Sequence, residues 1–172
     1  LVELATPGVE MIGDVNGGPQ LAHAATAQGV TAAENAVRRA KRKFGTLVPA
    51  CIFTAPEIGS VGLTEAQAKE KNLAVKIGKF AFVGLGKAMA AGDTTGFVKW
   101  IADAATDRLV GAHAVGPHAT ELISEAALAI QAELTAAELG RTIHSHPTLS
   151  EIWMEAAHAL HGECIHAPPK RR

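Results

Sequence analysis

An α+β domain, built on a mainly antiparallel sheet with packed helices, is the fold class this sequence predicts. Three observations predict it. Phe97-Val98-Lys99-Trp100-Ile101 and Leu109-Val110-Gly111-Ala112-His113-Ala114-Val115 flank the polar stretch 103–108, as the two arms of a hairpin do. Leu122, Ile123, Ala126, Ala127 and Ile130 then recur at helical spacing on one apolar face. Two capping-box patterns, Thr64 to Gln67 and Thr135 to Glu138, mark the starts of further helices. Strands followed by a run of helices fit an antiparallel sheet with helices laid on it.

In chain order, Val9-Glu10-Met11-Ile12 reads as a short strand ending at Gly13-Asp14, and Asn16-Gly17-Gly18-Pro19 as a turn. Gln20 to about Lys43 reads as a helix with Leu21, Ala25, Ala33 and Val37 on its apolar face. Gly29 interrupts it at about 1 kcal/mol relative to alanine, so a packing reason is expected there. One strand and one helix cannot bury their own apolar faces, so this segment needs a partner the sequence lacks. The signals change near Phe44-Gly45. Cys51-Ile52-Phe53-Thr54 and Ser60-Val61-Gly62-Leu63 read as strand pieces around a Pro56-Glu57 turn. A short helix follows through Lys71, then a strand from Ala74 to Phe82. After the hairpin come helices over about 118–132, from Thr135, and from Thr148 to about Leu160. Residues 1–45 therefore form a separate leading segment, 46–166 the main domain, and the Pro-rich basic stretch 167–172 a disordered tail.

Composition narrows the function classes. Of 172 residues, 16 are basic and 17 acidic, a formal charge of −1 that carries no nucleic-acid footprint. Arg38, Arg39, Lys41, Arg42 and Lys43 cluster where a helix is expected to end, and positive charge suits that end of the dipole. No apolar run reaches transmembrane length. Cys51 and Cys164 are too few for a disulfide scaffold and match no redox or zinc spacing, which suits a reducing, cytoplasmic setting. The opening Leu1-Val2-Glu3-Leu4 has no methionine and no signal-peptide pattern, and reads as the middle of a longer protein.

The stretch His144-Ser145-His146-Pro147-Thr148-Leu149-Ser150-Glu151 carries the most chemistry. Structurally, Thr148 is a candidate N-cap and Glu151 completes its capping box. Chemically, Pro147 disfavours helix at His146 and projects it from a fixed loop. Glu151, on the first helical turn, can reach back to the imidazole, fix its tautomer and favour its charged form. The two roles compete for one Glu151 carboxylate.

His146-Pro147-Thr148 followed by Leu149-Ser150-Glu151 resembles the C-terminal signature of the pyridine nucleotide-disulfide oxidoreductases, closest to their dihydrolipoyl dehydrogenase branch. The resemblance implies His146 as acid/base for a substrate dithiol and Glu151 as its orienting partner. Ile12-Gly13-Asp14-Val15 with Leu21-Ala22-His23 is similar to the family's late flavin-binding segment. There Asp14 would bond the ribityl chain of FAD, with Leu21, Ala22 and His23 near the isoalloxazine ring. Thr54 to Glu65, Gly96 to Lys99, Gly111 to Pro117 and Glu121 to Ala127 resemble the family's interface domain. The leading segment then resembles a strand-helix remnant of an FAD domain. Implied further are an enzyme using FAD and NAD, lipoyl-bearing proteins of 2-oxoacid dehydrogenase complexes as partners, and a homodimer sharing its active sites. Helix 118–132 and the last helix, through Ile152, Trp153 and Leu160, are expected to build that contact, with Trp153 as anchor.

The departures matter as well. No Gly-x-Gly-x-x-Gly turn, paired redox-cysteine motif or nicotinamide domain occurs, so no bound cofactor and no activity are expected of this chain alone. Thr26-Ala27-Gln28 replaces the usual acidic residues after Leu-Ala-His, which is expected to alter surface charge. A glutathione reductase or mercuric reductase type is the alternative within the family, and a non-catalytic dimerisation module the alternative outside catalysis. His158, His161, Cys164 and His166 raise a zinc or copper site, but their spacing fits no standard finger, and a polar helix end without metal is expected.

Overall fold

The computed structural model describes residues 2–3, 10–38, 42–45 and 47–167. The chain divides into two compact units, Leu1–Val48 and Pro49–Arg172.

In the first unit, β1 (Val2–Glu3) pairs antiparallel with β2 (Glu10–Met11), a 3₁₀ turn covers Gly13–Asn16, and α1 spans Ala22–Arg38. The expected extension of this helix passes through Arg39, Ala40 and Lys41, which lie outside the described residues, as do Val9, Thr46 and the tail 168–172. The apolar face expected of α1 is left open at Val37, which is 84% exposed, as a face lacking its partner should be. Ala24 and Gln28 are the buried residues of α1. Gln28 Oε1 accepts from Gly13 N at 2.7 Å and Asn16 Nδ2 at 3.0 Å and ties that side of α1 to the 3₁₀ turn. Gly29 meets only ordinary contact, since an added Cβ would lie 3.5 Å from Ile12 Cδ1. The expected packing reason is absent there.

The second unit is a five-stranded antiparallel sheet in the order β3-β4-β7-β6-β5, with β3 Ala50–Ile52, β4 Glu57–Gly62, β5 Val75–Ala81, β6 Phe97–Asp103 and β7 Leu109–Gly116. Its helices are α2 (Glu65–Glu70), α3 (Gly86–Ala91), α4 (Ala119–Gln131), α5 (Ala136–Arg141) and α6 (Glu151–His161). Both expected capping boxes are present, at Thr64 with Gln67 and at Thr135 with Glu138. Short α3 had no sequence signal beyond its glycines and alanines.

Strand alternation sorts the two faces of the sheet. Val61, Ala112, Trp100 and Gly78 stand in register across four strands and are all buried. On the opposite face, His113, Lys99 and Lys79 stand in register. Helices lie so close to the buried face that two strand positions must be glycine. A Cβ at Gly59 would sit 2.6 Å from Ala119 O, and one at Gly78 would sit 2.2 Å from Ala156 O. Thus α4 rests on β4 and α6 on β5.

Between them lies a pair of tryptophans. Trp100 and Trp153 have ring centroids 4.7 Å apart. Trp100 Nε1 donates to Trp153 O at 3.0 Å, and Trp153 Nε1 donates to Leu122 O at 2.9 Å. Trp153 and Ile152 are wholly buried within one chain. This corrects the expectation that they anchor a contact between subunits. A buried indole needs a partner for its N–H, and the α4 carbonyl supplies it here.

Candidate active site

The loop 142–150 joins α5 to α6 and carries His146. It is tied down at several points. Thr142 Oγ1 donates to Glu138 O at 3.1 Å, and Thr148 Oγ1 donates to Ser145 O at 2.7 Å. The His146-Pro147 peptide is cis. Helix α6 begins at Glu151 rather than near Thr148, and Ser150 flanks it without a side-chain cap.

Glu151 orients His146 with one oxygen and holds the loop backbone at Thr148 with the other, but the expected capping box is absent because Thr148 does not cap α6. Oε1 lies 2.9 Å from His146 Nδ1, and Oε2 accepts from Thr148 N at 2.8 Å. A carboxylate only accepts, so Nδ1 carries the proton and Nε2 of neutral His146 keeps its lone pair. That is the tautomer of a general base. Glu151 is buried, and burial pulls its pKa upward. The Thr148 amide, the His146 hydrogen bond and the charges of His146 and His166 outweigh that and hold it below the ordinary 4.5. The imidazole itself is 69% exposed, so its base nitrogen can meet a group from outside this chain. The first turn of α3 borders it: a Cβ at Gly86 would lie 4.0 Å from His146 Cε1.

Two neighbouring pairs escaped the sequence reading. The His144 ring, only 6% exposed, has Nε2 at 2.7 Å from Glu125 Oε1 and Nδ1 at 2.9 Å from Thr142 O. Glu155, one turn after Glu151, is wholly buried. Its carboxylate accepts from Ile165 N at 3.0 Å and His166 N at 3.3 Å and lies 2.7 Å from His166 Nδ1. A glutamate four residues after another on one helix face is a readable signal, but its partner, the half-exposed His166, comes from an irregular segment.

The proposed flavin-side residues lie in the first unit. Asp14 is exposed on the 3₁₀ turn, and Leu21, Ala22 and His23 open α1. Gln28 clamps that turn, and Gly13 approaches Ala25, where an added Cβ would lie 3.5 Å from Ala25 Cβ. An exposed carboxylate beside a helix start fits one flank of a flavin, as an acceptor for a hydroxyl. Of Thr26-Ala27-Gln28, the first two are exposed as a surface change requires, whereas Gln28 is buried, which corrects the expectation at that position. Among the described residues, no three His, Cys, Asp or Glu side chains are grouped to hold a metal ion. His161 turns to Asp107 Oδ2 at 3.2 Å and His166 to Glu155. No helix among the described residues is long and apolar enough to cross a membrane.

Residues 48–157 match the family profile "Pyridine nucleotide-disulphide oxidoreductase, dimerisation domain". The chain is 51% identical over 156 residues to a dihydrolipoyl dehydrogenase of Bacillus subtilis, covering 90% of this chain and 33% of that protein. Among solved structures, LpdA from Mycobacterium tuberculosis aligns with TM-score 0.79 and 31% identity, over 87% of this chain and 33% of that one. The HOCl-induced flavoprotein disulfide reductase RclA from Escherichia coli aligns with TM-score 0.78 and 26% identity, over 87% and 34% of the two chains. The chain thus spans about a third of the length of the curated relatives it matches.

Proposed function

We propose that this chain, which belongs to the pyridine nucleotide-disulphide oxidoreductase family through its dimerisation domain, is the dimer-forming part of a dihydrolipoyl dehydrogenase. The observation that carries the reading is the His146–Glu151 pair, with Nδ1 held and Nε2 open. The whole enzyme oxidises protein-bound dihydrolipoamide in a cytoplasmic 2-oxoacid dehydrogenase complex, with FAD and NAD, as a homodimer. Residues 1–45 close its flavin-binding domain, 46–166 form the interface domain and 167–172 a trailing tail.

Oxidising a dithiol to a disulfide releases two protons and two electrons. His146 Nε2 takes a proton from a substrate sulfur, and the resulting thiolate is the nucleophile that attacks the enzyme's redox disulfide. Glu151 keeps the ring in one tautomer and stabilises the imidazolium that forms, as an orienting carboxylate does in a triad. FAD, when bound, supplies the acceptor for the electron pair. On this chain Asp14 would bond its ribityl chain, and Leu21, Ala22 and His23 would lie near its ring. The outward-opening His146 supports a reading in which the sulfur it serves belongs to the partner subunit's site and dimerisation is part of catalysis.

The test is His146→Gln in the full-length enzyme. Reduction of the flavin by dihydrolipoamide should slow by about 10²–10⁴, with flavin content unchanged. A wild-type rate of flavin reduction would remove His146 from the chemistry.

A further inference from the structure

His144 stands two residues before His146 and is unlike it in one respect: both of its ring nitrogens face groups that only accept. Nδ1 meets the Thr142 carbonyl at 2.9 Å and Nε2 meets the Glu125 carboxylate at 2.7 Å. A neutral imidazole has one N–H, so it would leave a lone pair pressed against an oxygen lone pair on the other side. With the ring nearly out of solvent, no water relieves that clash. An imidazolium satisfies both acceptors.

We propose that His144 is a second functional histidine of this site: a positioning residue, charged at neutral pH, that fixes the loop bearing His146 to α4 through Glu125. Thr142 fastens one end of the loop to α5 and Glu151 fastens the other to α6. Without the His144–Glu125 bridge, nothing among the described hydrogen bonds ties residues 143–147 to α4. Displacing a base by about 1 Å can cost on the order of 10²-fold in rate, so the bridge matters to the reaction without touching substrate. The charges that face His144 agree with the assignment. Glu125 raises its pKa, burial opposes this, and the Thr142 carbonyl and the charge of Glu151 on α6 add to the rise. The inference rests on the reading of His146 as the base.

Two measurements test it. In this chain, ¹⁵N-resolved NMR should find both His144 nitrogens protonated at neutral pH, with deprotonation above the ordinary 6.5. Glu125→Gln should move that midpoint to lower pH. In the full-length enzyme, Glu125→Leu, which offers the ring neither oxygen nor NH₂, should lower kcat for dihydrolipoamide oxidation about tenfold or more, with KM little changed. Glu125→Gln, whose oxygen can accept from the charged ring and whose NH₂ can donate to the neutral one, should restore much of that loss, which a merely space-filling contact would not produce. A neutral His144 in the wild-type chain at neutral pH overturns the inference. So does full activity of Glu125→Leu in an enzyme that His146→Gln inactivates. Full activity of His146→Gln instead overturns the reading of the whole site.

Discussion

Glu151 has two oxygens facing two donors, and that geometry makes its charge hard to replace. An amide in its place offers one oxygen and one NH₂, so it can accept from His146 Nδ1 or from Thr148 N but not from both. Glu151→Gln should therefore destabilise the second unit by about 0.5–1.5 kcal/mol, the net worth of one part-buried hydrogen bond. It should slow dithiol oxidation less than His146→Gln does. The pH dependence has a definite sign. A carboxyl held below its ordinary 4.5 stabilises the fold above that value, and the contribution disappears as pH falls through the lowered one. Urea titrations from neutral to acid pH should show an acid limb that shrinks in Glu151→Gln, and an unchanged limb would count against the assignment. His144 has the opposite sign: raised above 6.5, it contributes fully below that value and its contribution fades as pH rises through the folded one. The pairing of His146 with Glu151 was legible because six residues of sequence contain both partners and the proline that fixes the loop. Glu125 was not legible, since it lies nineteen residues before His144 and only the packing of α4 against this loop joins them.

Elements made of regular repeats were legible, and elements made of contacts were not. The β6–β7 hairpin and both threonine capping boxes could be read because alternation and capping are local rules. A second side of α1 went unread because alanine spacing alone does not single out the glutamine that ties it to the 3₁₀ turn. Trp153 was misplaced for a related reason. Periodicity says which face of a helix is apolar but not whether that face meets its own sheet or another subunit. The structure gives it to the sheet, with its indole N–H bonded to α4 and its ring against Trp100. Trp153→Ala should then cost about 3–5 kcal/mol of stability, as loss of a buried aromatic does. The loss should appear as a lower urea midpoint that is the same at every protein concentration. A variant of wild-type stability that only dissociates would restore the interface role.

At the scale of the whole chain, two properties follow from its matching about a third of the length of its relatives. The proposed flavin flank in the first unit has a carboxylate and a helix start but no glycine-rich pyrophosphate turn, so the chain purified alone should be colourless. A stoichiometric flavin spectrum would contradict this. Self-association is the second property, because the dimerisation-domain match spans residues 48–157 of the second unit. Closed twofold dimers are the commonest oligomers, and a surface that meets its own copy must be apolar where the core does not claim it. With Trp153 and Ile152 withdrawn into the core, the loop that carries the base is the natural place to look. Ile143 is 95% exposed there, three residues before His146. If His146 serves a site on the partner subunit, Ile143 lies beside the same boundary and loses its water when the dimer closes. Ile143→Glu should therefore shift the chain from about twice its 17.8 kDa mass toward the monomer in light scattering at micromolar concentration. The urea midpoint, extrapolated to low protein concentration, should stay near wild type, because an exposed side chain leaves the core intact. A wild-type chain that stays monomeric would refute the dimer, and an Ile143→Glu chain that dimerises normally would move the interface away from this loop.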